Sequence, residues 1–306
     1  DNVPSLHRYP DGNAAALRRA ISEVYGFPAE RIACGAGSDE LIGHLIHAYA
    51  APGEDILMSR HGFLMYKIYA QSFGVNTVMA PEKNLRTDVD AMLAHVTPKT
   101  NLVFVANPSN PTGSYITRDE LVRLHKGLPK HVLLVVDAAY SEYVDLPDYT
   151  DGSELAASTE NTVMLRTFSK IYGLAGIRLG WMFAPAPIVD VVNRIRGPFN
   201  VGNAAQAAGI AAVKDTRFID SAREFNTRWR DWLTQEISGL GLKVYPSIAN
   251  FILVEFPYGG HNAVAASDYL IKHNLVVREV AGYGLPDCLR ISIGLEKDNK
   301  AVVKTL

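Results

Sequence analysis

The sequence predicts an α/β fold: a large domain on a mainly parallel, seven-stranded sheet, followed by a smaller α+β domain. Three observations predict it. Short β-prone runs alternate with amphipathic stretches over the first 200 or so residues, the order that builds a parallel sheet covered on both faces. Several of these runs are apolar without interruption, as strands buried on both faces must be. After Asn200 the pattern changes to a long Ala-rich helical region and a second, smaller set of strands.

In chain order the candidate strands are 31–34, 55–58, 76–80, 101–106, 132–136, 162–166 and 179–183. The run at 132–136 reads Val-Leu-Leu-Val-Val and has no polar member. Amphipathic helical stretches lie between them, among them 39–49, 118–126 and 188–196. A helical region then runs from about 204 to 240. A strand at 250–254, a helix at 263–273 and strands at 275–279 and 288–292 complete the second unit. There is no internal repeat and no low-complexity tract.

The 306 residues allow one large domain and a smaller one. With 30 Lys and Arg against 32 Asp and Glu, the net charge of −2 predicts no general nucleic-acid or membrane surface. A local basic pocket stays open. No apolar stretch reaches the ~18 residues of a membrane span, and no signal peptide is present. Cys34 and Cys288 are far apart and form neither a CxxC nor a metal spacing, so they read as two buried thiols in a reducing, cytoplasmic compartment. The chain starts at Asp1 without a methionine, which implies a missing preceding piece.

Four segments carry chemistry. Thr167-Phe168-Ser169-Lys170 follows a candidate strand, where α/β proteins bind ligands. A lysine there can form a Schiff base with an aldehyde cofactor, the hydroxyls of Thr167 and Ser169 can hold a phosphate, and Arg178 follows eight residues later. By itself such a lysine is more often a solvated loop residue. Asp137 ends another apolar strand, with Tyr140 three residues on. A carboxylate beneath a pyridine nitrogen keeps that ring protonated and electron-accepting; a helix N-cap is the other reading of Asp137. The run 107–113, Asn-Pro-Ser-Asn-Pro-Thr-Gly, makes a tight turn that either aims the Asn110 amide or is only structural. The run 35–40, Gly-Ala-Gly-Ser-Asp-Glu, opens a helix whose free N–H groups can cradle phosphate. Glu40 stands where a dinucleotide fingerprint has its third glycine, which weakens a dehydrogenase reading.

Together and in this order, these segments resemble the fold-type-I, class-II aminotransferases that use pyridoxal 5'-phosphate (PLP). Tyr9-Pro10-Asp11-Gly12, the run RHGFLMY from Arg60, GLAGIRLG from Gly173 and CLRISIG from Cys288 are similar to the histidinol-phosphate aminotransferase family. The resemblance spans nearly the whole chain. It implies an N-terminal segment (1–24) associated with the small domain and a dimer partner, a PLP-binding domain (25–203), and a connecting helix with the small domain (204–306). It makes Lys170 the Schiff-base lysine and proton shuttle, and Asp137 the partner of the pyridinium nitrogen. Asn110 and Tyr140 would bind the 3'-oxygen. Thr167, Ser169, Arg178 and the backbone of Gly37, Ser38 and Asp39 would hold the phosphate, and Phe63 would stack on the ring. Tyr9 would reach the phosphate of the partner's cofactor, implying a homodimer with shared active sites. Arg290 would grip the acidic end of the substrate, and Arg278 the substrate phosphate. The family's Asn-Pro-Leu-Gly-type arm is absent from this chain.

The implied reaction is ping-pong transamination between histidinol phosphate and 2-oxoglutarate, as in histidine biosynthesis, with small-molecule partners and neither nucleic acid nor membrane. Lys170 must act as a neutral amine, its pKa depressed by Arg178 and the pyridinium. Phe63, Tyr66, Tyr283 and Phe199 are candidates to line the substrate pocket. An aromatic amino-acid aminotransferase is the nearest alternative. A PLP-dependent decarboxylase of phosphorylated amino acids shares the fold, and a cofactor-sensing regulatory domain is the non-enzymatic alternative. His44, His47 and His61 read as helix-face or core histidines rather than metal ligands. No GxSxG supports a serine hydrolase, and Arg194 and Arg196 complement a helix end.

Overall fold

The computed structural model describes residues 7–306. All seven predicted runs become strands of one sheet. They are β1 (Ile32–Gly35), β2 (Asp55–Ser59), β3 (Asn76–Ala80), β6 (Thr100–Ala106), β7 (Leu133–Asp137), β8 (Thr162–Thr167) and β9 (Gly180–Phe183). A small hairpin, β4 (Glu82–Lys83) with β5 (Arg86–Thr87), stands apart. The spatial order is β1-β9-β8-β7-β6-β2-β3. Every pairing is parallel except those of β9, which runs antiparallel to both β8 and β1. No crossover helix joins β8 to β9, and without one a strand returns antiparallel.

The unbroken apolar runs follow from burial on both faces. Leu102 and Phe104 pack under α2 (Ser38–Tyr49) and α7 (Ala186–Ile195). Val103 and Val105 point the other way, onto α4 (Val89–Ala94) and α5 (Arg118–Gly127). Each fully buried side chain of this kind contributes about 2 kcal/mol. Thr117 and Glu120 form a reciprocal capping box that starts α5. A third cluster joins α1 (Ala15–Tyr25) to Phe168, Leu179 and Trp181.

The helical region at 204–240 is two helices, α8 (Asn203–Lys214) and α9 (Thr216–Gly239). They break at Asp215, whose carboxylate accepts from the Phe218 N–H and caps α9. Gln206 of α8 donates to the Asp11 carbonyl, tying the N-terminal segment down. The second sheet is wholly antiparallel, in the order β10 (Lys243–Tyr245), β11 (Phe251–Glu255), β13 (Cys288–Ser292), β12 (Arg278–Glu279). The strand expected at 275–279 shrinks to its last two residues: Leu275 and Val277 pack inward, but only Arg278 and Glu279 pair with β13. Helices α10 (Ala263–Lys272) and α11 (Glu296–Thr305) belong to this unit.

The two units meet at a seam. Ile248 N–H donates to the Gly113 carbonyl at 3.0 Å, and His61 Nδ1 lies 2.7 Å from the Tyr283 carbonyl. Gly113 lies so close to Ser247 that a side chain there would collide, and its φ of +75° suits glycine. Both cysteines are buried and free. No described helix is long and apolar enough to cross a membrane.

Candidate active site

Strand register builds the site. Ala106 pairs with Asp137, and Asp137 with Leu165. The turn 107–113, the segment 137–140 and the loop after Thr167 therefore emerge side by side at the C-terminal edge of the sheet. Gly180 pairs with both Thr167 and Gly35, which sets the 35–40 loop beside them. A cleft of about 190 Å³ results, lined by Ser38, Asp39, Phe63, Asn110, Asp137, Tyr140, Thr167, Ser169, Lys170 and Arg178, with Ala106, Pro108, Ala139 and Ala175 between them.

At one end is a cradle for an anion. Gly37, at φ +89°, is the cap of α2, and Gly180 packs so tightly on the Gly37–Ser38 backbone that a Cβ would collide with the Ser38 nitrogen. The Arg178 guanidinium bonds Ser169 Oγ at 3.2 Å and the Asp39 carboxylate at 3.1 Å, which aims it across the start of α2. Arg178 itself has φ +53°, a costly conformation for a branched-out side chain that the surrounding contacts hold.

Two groups occupy the middle. Asp137 is buried; its Oδ2 accepts the Tyr66 hydroxyl at 2.7 Å, and its Oδ1 has no partner. Burial pushes its pKa up to about 6, against the opposing pull of the Tyr66 bond. Lys170 Nζ lies 5.2 Å from the Tyr140 ring centroid and, among the described residues, has no ion-pair partner. Burial first, and Arg290 second, lower its pKa. The sequence pointed to Arg178 and the pyridinium as causes; of the protein's own groups Arg178 is a weaker influence than Arg290, which acts on the amine from the other side of the seam.

At the far end, Arg290 donates to Asn110 Oδ1 and lies 4.9 Å over the Phe251 ring, its Nε without a partner. Tyr140, held edge-on to Phe251 at 5.3 Å, has its phenol pKa raised by burial. Arg278 sits directly opposite Arg290 in the β12–β13 register, on the same face but exposed. Tyr9 is outside the cleft: it is 81% exposed and stacks on Phe199 at 4.5 Å.

Three of the four aromatic residues expected to line the substrate pocket lie outside this cleft: Phe199, Tyr66 and Tyr283, the last of which lines a neighbouring cavity with His61. Phe199 belongs to the Tyr9 stack. Tyr66 is 1% exposed beneath Asp137, its hydroxyl committed to the carboxylate. The signal that could have found it is its spacing: three residues after Phe63 on α3 (Leu64–Ser72) puts the two on one helix face. Among the described residues no three His, Cys, Asp or Glu side chains are grouped to hold a metal.

The residues fit PLP. A buried carboxylate oxygen without a donor is costly, and a protonated ring nitrogen would satisfy it. The glycine-walled cradle with Arg178 suits a phosphate, and Lys170 presents an uncommitted amine between the two.

Comparison with known proteins agrees. The family described as aminotransferase class I and II matches residues 2–306. Histidinol-phosphate aminotransferase from Rhodospirillum centenum is 51% identical over 303 residues, 99% of this chain and 84% of that protein. The enzyme of the same name from Rhodopseudomonas palustris strain TIE-1 is 52% identical over 302 residues, 98% of this chain and 83% of its own. The crystal structure of histidinol-phosphate aminotransferase from Sinorhizobium meliloti in complex with pyridoxal-5'-phosphate matches with a TM-score of 0.92 and 28% identity, covering 99% of this chain and 83% of that one.

Proposed function

This chain belongs to the class I and II aminotransferases and is a PLP-dependent transferase; from that premise we propose that it exchanges the amino group of histidinol phosphate with 2-oxoglutarate at the cleft around Lys170. The observation that carries the substrate is the 51% identity across 99% of the chain to an enzyme named for it.

When bound, PLP supplies an aldehyde that takes up the amino group and a ring that accepts electrons. Asp137 Oδ1 would hold the ring nitrogen's proton. Asn110, whose Oδ1 is taken by Arg290, would offer its amide nitrogen to the 3'-oxygen, together with the Tyr140 hydroxyl. Arg178, Ser169, Thr167 and the backbone of Gly37, Ser38 and Asp39 would hold the phosphate, and Phe63 would cover one ring face. Lys170 Nζ would hold the aldehyde group and, when free, would be the base that takes the proton from the substrate's α-carbon and gives it back. Its lowered pKa keeps more of the amine neutral for that task. Arg290 takes the carboxylate or phosphate of each substrate as a planar fork, and Arg278, opposite it, takes the distal phosphate. Tyr9 reaches the cofactor phosphate of a second copy, so the working unit is a homodimer with shared sites. The two free, buried thiols suit the cytoplasm.

The test is a spectral titration of the holoenzyme with Lys170→Ala as control. Histidinol phosphate converts the cofactor's visible band to the amine form only when Lys170 is present. Conversion by phenylalanine or tyrosine in preference to histidinol phosphate discards this substrate in favour of an aromatic amino acid. Release of CO2 without an oxo product discards transamination.

A further inference from the structure

We propose that Tyr66 is a positioning residue for the cofactor's ring nitrogen, acting through Asp137. This rests on the reading of Asp137 as that nitrogen's partner. Tyr66 lies outside the cleft lining. Its place in the molecule is nonetheless specific. The hydroxyl donates to Asp137 Oδ2 at 2.7 Å while Oδ1, on the same carboxylate, has no partner. The terminal torsion of an aspartate is broad and two-fold, so a fixed donor on one oxygen determines where the other points. Asp137 lines the cleft, and the oxygen left over is the one available to it.

The ring of Tyr66 is itself immobilised. It stacks on Phe104 at 4.5 Å and meets Phe63 edge-on at 5.6 Å. One buried side chain thus braces both the nitrogen's carboxylate and the aromatic that covers the ring face. The donor also has an electrostatic effect. Asp137 is pressed toward its neutral form by burial and by Asp39, while the Tyr66 bond, the Ala139 backbone N–H and Lys170 favour the carboxylate. The phenol is held far above its ordinary pKa, by burial first and by Asp137 second, so it remains a donor. The Tyr140 and Tyr283 phenols face Tyr66 as well. Without the hydroxyl, Oδ2 would be a second bare oxygen in a dry site, and the proton shared between carboxylate and ring nitrogen would move toward the carboxylate.

The test reads the ring nitrogen directly, by NMR of the holoenzyme reconstituted with PLP labelled with 15N in the ring. Tyr66→Phe keeps the ring and removes the donor. The nitrogen shift moves toward that of an unprotonated pyridine, and the PLP Kd rises about tenfold, the size of one lost hydrogen bond to a charged group. Phe104→Leu disturbs the packing beneath Tyr66 but leaves its hydroxyl in place, and the shift stays at the parent value. A parent-like shift in Tyr66→Phe overturns the proposal, as do equal shifts in both variants, which would make packing the cause. Asp137→Asn tells the two readings apart. If it moves the nitrogen shift and Tyr66→Phe does not, only the role of Tyr66 fails; if it does not move the shift, the reading of Asp137 fails first.

Discussion

Arg166 and Lys170 stand four residues apart, one inside β8 and one just past its end, yet their surroundings are opposite. Arg166 is 7% exposed, and both its terminal nitrogens are paired, Nη1 with Glu142 at 2.8 Å and Nη2 with Asp151. It lies 5.0 Å over the Tyr25 ring, whose hydroxyl bonds that of Tyr172. Only its Nε is bare. Around Lys170 the polar groups are left open: among the described residues the amine has no ion pair, Asp137 Oδ1 has no donor, and Arg290 Nε has no acceptor. Charges closed on one another hold a fold together. Charges left open in a cleft are a description of what must enter it.

The comparison is broken or sharpened by removing groups from each side. Lys170→Ala should cost turnover about ten-thousandfold, the upper range for a lost proton-transfer group, in single-turnover assays. It should leave denaturant stability within about 1 kcal/mol, since no partner is stranded. Arg166→Met should do the reverse. Stranding Glu142 and Asp151 in a buried site costs about 3–5 kcal/mol of stability, read by urea unfolding. If Arg166→Met proved neutral, the distinction between the two sides would collapse.

A third prediction concerns pH. In the cofactor-free protein Asp137 titrates at about 6, above its usual 3.8. A raised carboxylate pKa favours the folded state fully below the unfolded value, and that contribution is lost as pH rises through the folded one. The folded cofactor-free protein should therefore lose about 2 kcal/mol of stability from this group between pH 4 and 6. Asp137→Asn should flatten that slope. The smallest effect is expected at Arg278→Ala: the KM for the phosphorylated substrate rises about tenfold, the scale of one charge-assisted contact, with kcat held.

The large sheet was legible because burial on both faces writes itself as plain apolar runs, and the cleft because its loops follow those runs directly. What escaped depended on distant partners. Tyr66 reads as an aromatic wall of the substrate pocket; its place beneath the cleft comes from Asp137, 71 positions away. Arg290 depresses Lys170 only because the second unit folds back over the first. The three-residue strand β10 and the hairpin β4–β5 are too short to carry a period. The interruption at Asp215 turns on one side chain bonding the backbone three residues ahead, a local choice that the Ala-rich pattern masks.

The antiparallel return of β9 has one more consequence. Thr167 and Gly180 are rungs of the same ladder, and Phe168 N–H bonds the Leu179 carbonyl at 2.9 Å, so the stretch bearing Lys170 is knotted off at its base. Its outer bend, at Gly173 and Gly176, has open space around it. Extra residues spliced in there would enlarge a sealed bight without tugging on either strand, and doubling its length would add only about 0.6 kcal/mol of closure entropy. The knot insulates the two strands from that bend, whereas the Gly173 N–H bonds the Lys170 carbonyl at 2.9 Å, so a change in loop length there would be felt at the lysine and not in the sheet.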